Sequence, residues 1–92
     1  MNDATPIRTV TSPATVWHKG EVKWFDRSGR RFGFIIPDDD TFSGADVFFS
    51  WQVLDKYNIK ESRITEGARV EFRAEPPDRP GRRPRAVQIR PV

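Results

Sequence analysis

The residues best placed to do chemistry in this sequence lie together in Arg30-Arg31-Phe32-Gly33-Phe34-Ile35, two phenylalanines two positions apart beside two arginines. The run reads as a β-strand, in which successive side chains point to opposite faces. Phe32 and Phe34 then share one face, and Gly33 and Ile35 share the other. With Ile35 turned to a core, two rings stand outside next to positive charge. An unpaired nucleobase with its phosphate calls for that combination, a flat face to stack on and a cation beside it.

The residue types that are missing narrow the chemistry further. The 92 residues include no cysteine, so a disulfide, a thiolate metal ligand and a thiol nucleophile are all absent. The lone histidine, His18, has no obvious partner along the chain, so neither a zinc centre nor histidine-based catalysis is expected. Asp38, Asp39, Asp40 and Asp46 lack the spacing of a calcium loop. No nucleophile–base pair can be assembled, and the expectation is a non-enzymatic chain with no cofactor and no metal.

The formal net charge is +3 with an isoelectric point near 9.8. Its distribution says more than its sum: Arg79 to Arg90 holds five arginines and no acid. Arginine couples a fixed charge to a plane that stacks on bases and forks onto phosphates. An anionic partner follows from that pattern. No apolar stretch approaches the ~20 residues that span a bilayer. Met1 to Val16 carries Asp3 early and no apolar run, which does not read as a secretory signal. A cytoplasmic protein without membrane contact is expected.

These side chains need elements to position them. Met1 to Val16, rich in Thr, Ser, Pro and Ala and without a period, reads as a flexible, disordered arm, and residues 17–92 as one domain. Gly20 to Phe25 reads as a first strand, Asp26-Arg27-Ser28-Gly29 as a polar turn, and Arg31 to Ile36 as a second strand, which Pro37 ends. Ala45 to Phe49 reads as a third strand. Trp51 to Leu54 is too short for a stable helix and is expected to make a single turn, followed by a polar connection from Lys56 to Glu66. Ala68 to Ala74 alternates cleanly between apolar and charged residues, the plainest half-buried strand in the chain. Pro76 to Pro84 cannot be regular, and Ala86 to Ile89 makes a last strand. Val22, Ile35, Ile36, Val47, Phe49, Val70, Phe72, Val87 and Ile89 are the candidate core, and Trp17 is expected to pack on the barrel edge. Five short strands and little helix favour an all-β, five-stranded antiparallel barrel, which leaves few open edges. An open sheet or small sandwich is the alternative.

Gly20-Glu21-Val22-Lys23-Trp24-Phe25, Phe32-Gly33-Phe34-Ile35, Pro37-Asp38-Asp39 and Asp46-Val47-Phe48, in that order and spacing, resemble the cold-shock domain family. The resemblance runs from about Lys19 to Ile89. It implies a five-stranded OB-fold barrel that binds single-stranded RNA or DNA, as bacterial RNA chaperones, transcription antiterminators and Y-box proteins do. The family's first ribonucleoprotein motif, usually Lys-Gly-Phe-Gly-Phe, corresponds to Arg30-Arg31-Phe32-Gly33-Phe34, which implies base stacking on Phe32 and Phe34. Trp24 matches a further stacking tryptophan, with Lys23 beside it as a phosphate contact. The second motif, usually Val-Phe-Val-His-Phe, corresponds to Val47-Phe48-Phe49-Ser50-Trp51, which implies stacking on Phe48 and, in place of the final aromatic, on Trp51.

The departures from the family pattern bear on the site. Ser50 stands where a base-contacting histidine is usual and offers a hydroxyl but no ring. Arg31 replaces a glycine and either adds a phosphate contact or crowds the strand. The turn after Phe25 and the connection around Tyr57 are lengthened, and Tyr57 is a candidate extra platform. Arg30 is a second candidate phosphate contact. Arg82, Arg83 and Arg85 lie on a loop that either reaches the strands or points away. The expected partner is single-stranded RNA or DNA, bound by a monomer acting as an RNA chaperone or a transcription or translation regulator. The alternative is a protein-interaction module that docks on RNA polymerase or the ribosome and binds nucleic acid weakly.

Overall fold

Short runs of alternating apolar and polar residues, cut by Gly, Pro and Asp, give five strands that none could stabilise alone. The computed structural model describes residues 16–77 and 81–92. The arm expected over Met1 to Val16 lies outside them except for Val16, as does Arg79. In chain order the strands are β1 (His18–Phe25), β2 (Phe32–Pro37), β3 (Val47–Ser50), β4 (Arg69–Glu75) and β5 (Arg85–Pro91). They close in the order β1-β2-β3-β5-β4, with β4 returning to β1. The architecture is the closed five-stranded barrel expected.

Four of the five pairings are antiparallel, and β3 with β5 is parallel. Parity requires this, since an odd ring of strands cannot alternate direction at every seam. The parallel seam is brief: one residue pair, Phe48 with Arg85, and a hydrogen bond from Phe48 N–H to the Pro84 carbonyl (2.9 Å).

The core holds Val22, Ile35, Val47, Phe49, Val70, Phe72 and Ile89, as expected. Two expected members are not in it. Ile36 is 41% exposed, because its neighbour Ile35 already faces inward and adjacent strand residues point apart. Val87 is only half-buried, because β5 slips register between Ala86 and Gln88, leaving Val87 as the extra residue. Ala74 and Ala86 take inward positions, and Phe42, Val53, Leu54 and Ile64 fill in from the connections. Val53 and Leu54 sit on α1 (Trp51–Lys56), a six-residue helix where a single turn was expected. Helix propensity alone would not hold so short a segment. Burial of Val53 and Leu54, with α1 packed on β3 and β5, supplies what propensity lacks.

His18 also departs from expectation, since it is buried in β1 with partners remote in sequence. Its ring lies 5.1 Å from Phe42 and 5.6 Å from Phe72, and Nδ1 is 3.6 Å from Asp39 Oδ2. Trp17 packs against two guanidinium groups, that of Arg90 on β5 at 3.7 Å from its ring centroid and that of Arg73 on β4 at 5.4 Å.

Loop carboxylates hold the strand connections. Asp26 Oδ1 accepts hydrogen bonds from the backbone N–H groups of Ser28 (3.1 Å) and Gly29 (2.9 Å), shaping the turn between β1 and β2. Asp39 Oδ1 accepts from Thr41 N–H (3.0 Å), and Asp38 pairs with Arg69. The Gly29 and Ser28 amides hold the Asp26 carboxyl below its ordinary value of 3.8, the Thr41 amide does the same for Asp39, and the Arg69 guanidinium for Asp38.

Gly33 sits where a side chain cannot. A Cβ there would collide with the Trp24 carbonyl oxygen and lie 2.8 Å from Phe49 Cζ. Gly33→Ala should therefore lower the unfolding free energy by about 1–3 kcal/mol through overpacking, whereas Ile36→Thr, on the exposed face, should stay within about 0.5 kcal/mol. Urea unfolding of the two variants checks the contrast. The lowered carboxyls set the acid response. Their folded values lie below those of the unfolded chain, which therefore binds more protons in acid, and stability rises with pH there. That contribution is complete above the ordinary carboxylate value and is lost as pH falls through the folded values. The urea midpoint should be flat near neutrality and drop below about pH 4, and Asp26→Asn should shrink the drop.

Candidate nucleic-acid interface

Strict alternation from the buried Val22 would send Trp24 inward too. It does not, because β1 breaks step. Val22 pairs with Ile35 but Trp24 with Phe34, so Lys23 is an extra residue and both Lys23 and Trp24 face solvent. Phe25 then turns inward and stacks on Phe49 at 5.4 Å. The bulge brings the tryptophan onto the face of Phe32 and Phe34.

On β2 the inward residues are Gly33 and Ile35 and the outward ones Phe32 and Phe34; on β3, Val47 and Phe49 point in and Phe48 out. Trp24, Phe34 and Phe48 are directly paired across three adjacent strands, and Phe32 is paired with Ser50. The four rings make one cluster. Trp24 lies 5.4 Å from Phe32 and 5.2 Å from Phe34, and Phe48 lies 5.7 and 5.9 Å from the same two. Most of these contacts are edge-to-face, each contributing about 0.5–1.5 kcal/mol beyond area burial. Packed edge against face, the rings brace one another: Trp24 is 38% exposed and the three phenylalanines half-buried.

Trp51, 37% exposed, opens α1 just past β3, and its backbone N–H donates to the Arg31 carbonyl (2.8 Å). The Arg31 guanidinium lies 5.1 Å over the Trp51 ring and pairs with Glu61. Arg31 has φ +58°, the left-handed region that favours glycine. The arginine therefore occupies a backbone conformation suited to glycine, and the contacts to Trp51 and Glu61 offset its strain. Ser50 is the N-cap of α1 and makes no side-chain cap bond. Tyr57 follows the other end of α1 beneath the Lys56 ammonium (5.5 Å), and no ring contact joins it to the four.

The cations form a rim. Lys23 pairs with Asp46 (2.9 Å), and Arg85 with Glu75 (3.1 Å). Arg30 is exposed in the β1–β2 turn. Arg83 reaches the strands, its guanidinium 5.0 Å over the Phe34 ring, and with Arg82 and Arg85 it borders a cleft against Phe34 and Phe48. Of the two courses open to this loop, the structure has the one that meets the aromatic face. Sequence reasoning missed Asp46, Glu61 and Glu75, the acids that engage these cations. Asp46 was detectable: it lies two before Phe48 and so shares its face.

Among the described residues no group of three or more His, Cys, Asp or Glu side chains is placed to hold a metal, and no helix is long and apolar enough to cross a membrane. The arrangement can stack flat rings and neutralise anions. Comparison with known families matches residues 18–92 to the family described as 'Cold-shock' DNA-binding domain. No curated protein and no solved structure matches the chain. The family match covers all five strands, the four clustered rings and the arginine loop. The chain thus belongs to the cold-shock domain family of nucleic-acid-binding OB-fold proteins.

Proposed function

We propose that this protein binds single-stranded RNA or DNA by stacking successive bases on Trp24, Phe32, Phe34 and Phe48, with Lys23, Arg30, Arg31, Arg83 and Arg85 following the backbone phosphates. The observation that carries this reading is the row of outward rings paired across β1, β2 and β3. Rings already braced against one another lose little freedom when a base arrives, which favours binding. Trp51 extends the platform once Arg31 moves from its face to a phosphate, Ser50 supplies a hydrogen bond beside Phe32, and Tyr57 serves a longer strand.

Stacking contributes about 1–3 kcal/mol per base. Four platforms gross several kcal/mol, from which the ordering of a flexible strand is subtracted, and a micromolar to nanomolar affinity results. Sequence preference over most of the face is weak, because every base has a π-face. By holding unpaired strands the protein shifts hairpins toward their open form without ATP. It acts in this way as a monomeric RNA chaperone or regulator of transcription or translation in the cytoplasm. A second reading, docking on RNA polymerase or the ribosome, draws support from Arg31 and Trp51 already being engaged with each other, and exposed aromatics also anchor protein interfaces.

Titration with a short pyrimidine oligonucleotide, followed by tryptophan emission, separates the readings. Quenching that weakens as salt rises supports stacking; a flat signal at low salt supports docking. Truncating Phe32 and Phe34 to Ala should cost at least about tenfold in affinity with the barrel still folded, and an affinity barely changed would mean the platform is elsewhere. Arg31→Gly removes left-handed strain of about 1–2 kcal/mol together with an exposed ion pair and a cation–π contact of similar combined size. Its melting temperature should therefore stay close to wild type, while its affinity falls and the salt slope becomes shallower by about one phosphate contact.

A further inference from the structure

The row of paired residues does not stop at Phe48. Phe48 pairs with Arg85 across the parallel seam, and Arg85 with Glu75 on β4. Beyond the aromatic platform the surface thus carries a guanidinium and then a carboxylate, two strand spacings or about 10 Å from Phe48. Over this stretch lies a cleft of about 520 Å³, within the ~300–1,000 Å³ of small-ligand sites. Phe34, Phe48, Pro76, Pro77, Arg82 and Arg83 are among the residues that line it, with the Arg83 guanidinium over the Phe34 ring.

We propose that this cleft is a pocket for a single base of the bound strand, that it prefers guanine, and that Glu75 is the residue that reads it. The proposal rests on the stacking reading above and adds a specificity the open face lacks. The Arg83 guanidinium lies 5.0 Å over Phe34, with no pair to a described acid. A base between two planes needs about 7 Å, twice the ~3.4 Å rise of stacked bases. Arg83 is exposed and long, so lifting it by about 2 Å is a change of rotamer. The base is then held between ring and guanidinium, a sandwich that both planes favour.

Glu75 lines the same cleft as Phe34, and in the proposed pose the pairing edge of that base turns along the cleft toward it. Arg85 Nη2 donates to Glu75 Oε1 (3.1 Å), fixing the carboxylate, and no described donor reaches Oε2. A carboxylate only accepts hydrogen bonds, and does so best from two parallel N–H groups. Guanine alone presents two such neighbours on its pairing edge, N1–H and the 2-amino group. Adenine and cytosine present one amino group beside a ring nitrogen that repels the carboxylate, and uracil and thymine one N–H between two carbonyls. Three arginines around one glutamate keep the cleft positive overall, so the flanking phosphates still enter.

The test titrates wild type and Glu75→Gln with an oligothymidine of about seven nucleotides, within the span of one OB barrel, and with the same strand carrying one guanine stepped through each position. Glutamine keeps the size but puts a donor where guanine needs an acceptor. At one position guanine should tighten wild-type binding by about fivefold over thymine, and hypoxanthine, which lacks the 2-amino group, should recover only part of the gain. Glu75→Gln should lose the gain and, because it also frees Arg85 for a phosphate, should hold oligothymidine at least as tightly as wild type, with its melting temperature unchanged. No guanine-sensitive position, or a gain that survives in Glu75→Gln, overturns the pocket while leaving stacking intact. Failure of wild type to bind oligothymidine overturns the stacking reading, and the pocket with it.

Discussion

A strand can show solvent both a lysine and the tryptophan after it only if its backbone breaks step, and β1 does so at Lys23. The break is possible because of what lies opposite. At the bulge the Trp24 carbonyl crowds Gly33, and Phe49 presses on the same Cα from within the barrel. With no Cβ at 33, the two strands approach closely enough for Phe25 to pair with Gly33 and turn into the core. One close approach thus sends Phe25 inward and Trp24 outward, onto the face that alternation gives Phe32 and Phe34. The place of Trp24 in the platform depends on that contact, although Gly33 itself can touch no base.

The electrostatics of the rim follow a different logic. Lys23, Arg31 and Arg85 each rest on an internal carboxylate, at Asp46, Glu61 and Glu75. These are exposed or half-exposed pairs, worth about 0–1 kcal/mol each. They do little for the fold, but a phosphate must replace the carboxylate before it gains the cation. Each contact therefore contributes only the difference between two similar ion pairs. The acids also leave fewer unpaired cations facing solvent than the arginine content suggests, which restrains adhesion to any polyanion and leaves the rings to supply the larger share of binding.

The outward placement of Phe32 and Phe34 was legible from alternation alone, because β2 keeps a strict period of two about a buried Ile35. So was β4, whose apolar residues all face inward. What was not legible depended on register. The bulge at Lys23 and the slip at Val87 leave no mark in composition, and each reverses the side on which the next residue falls. Ile36 looked like core because it is apolar, yet one strand cannot bury two consecutive residues in the same barrel. The left-handed turn at Arg31 was hidden because nothing local marks an arginine as strained. Of the core residues missed, Ala74 and Ala86 are small strand residues, and Phe42, Val53, Leu54 and Ile64 sit in connections, where burial depends on the path of the chain through space.

The position of the arginine loop traces back to parity. Five strands closing on themselves must leave one parallel seam, and here it falls between β3 and β5. The proline-rich stretch joins the antiparallel neighbours β4 and β5, and because β5 also pairs with β3, its end at Pro84 lies beside β3. The Pro84 carbonyl accepts the Phe48 N–H, which draws the end of that stretch against the strand carrying the last ring of the platform. Arg82, Arg83 and Arg85 flank the proline on both sides and are brought to the aromatic face with it. A topological requirement of closing the barrel thus places the positive charge of the chain's second half beside rings contributed by its first.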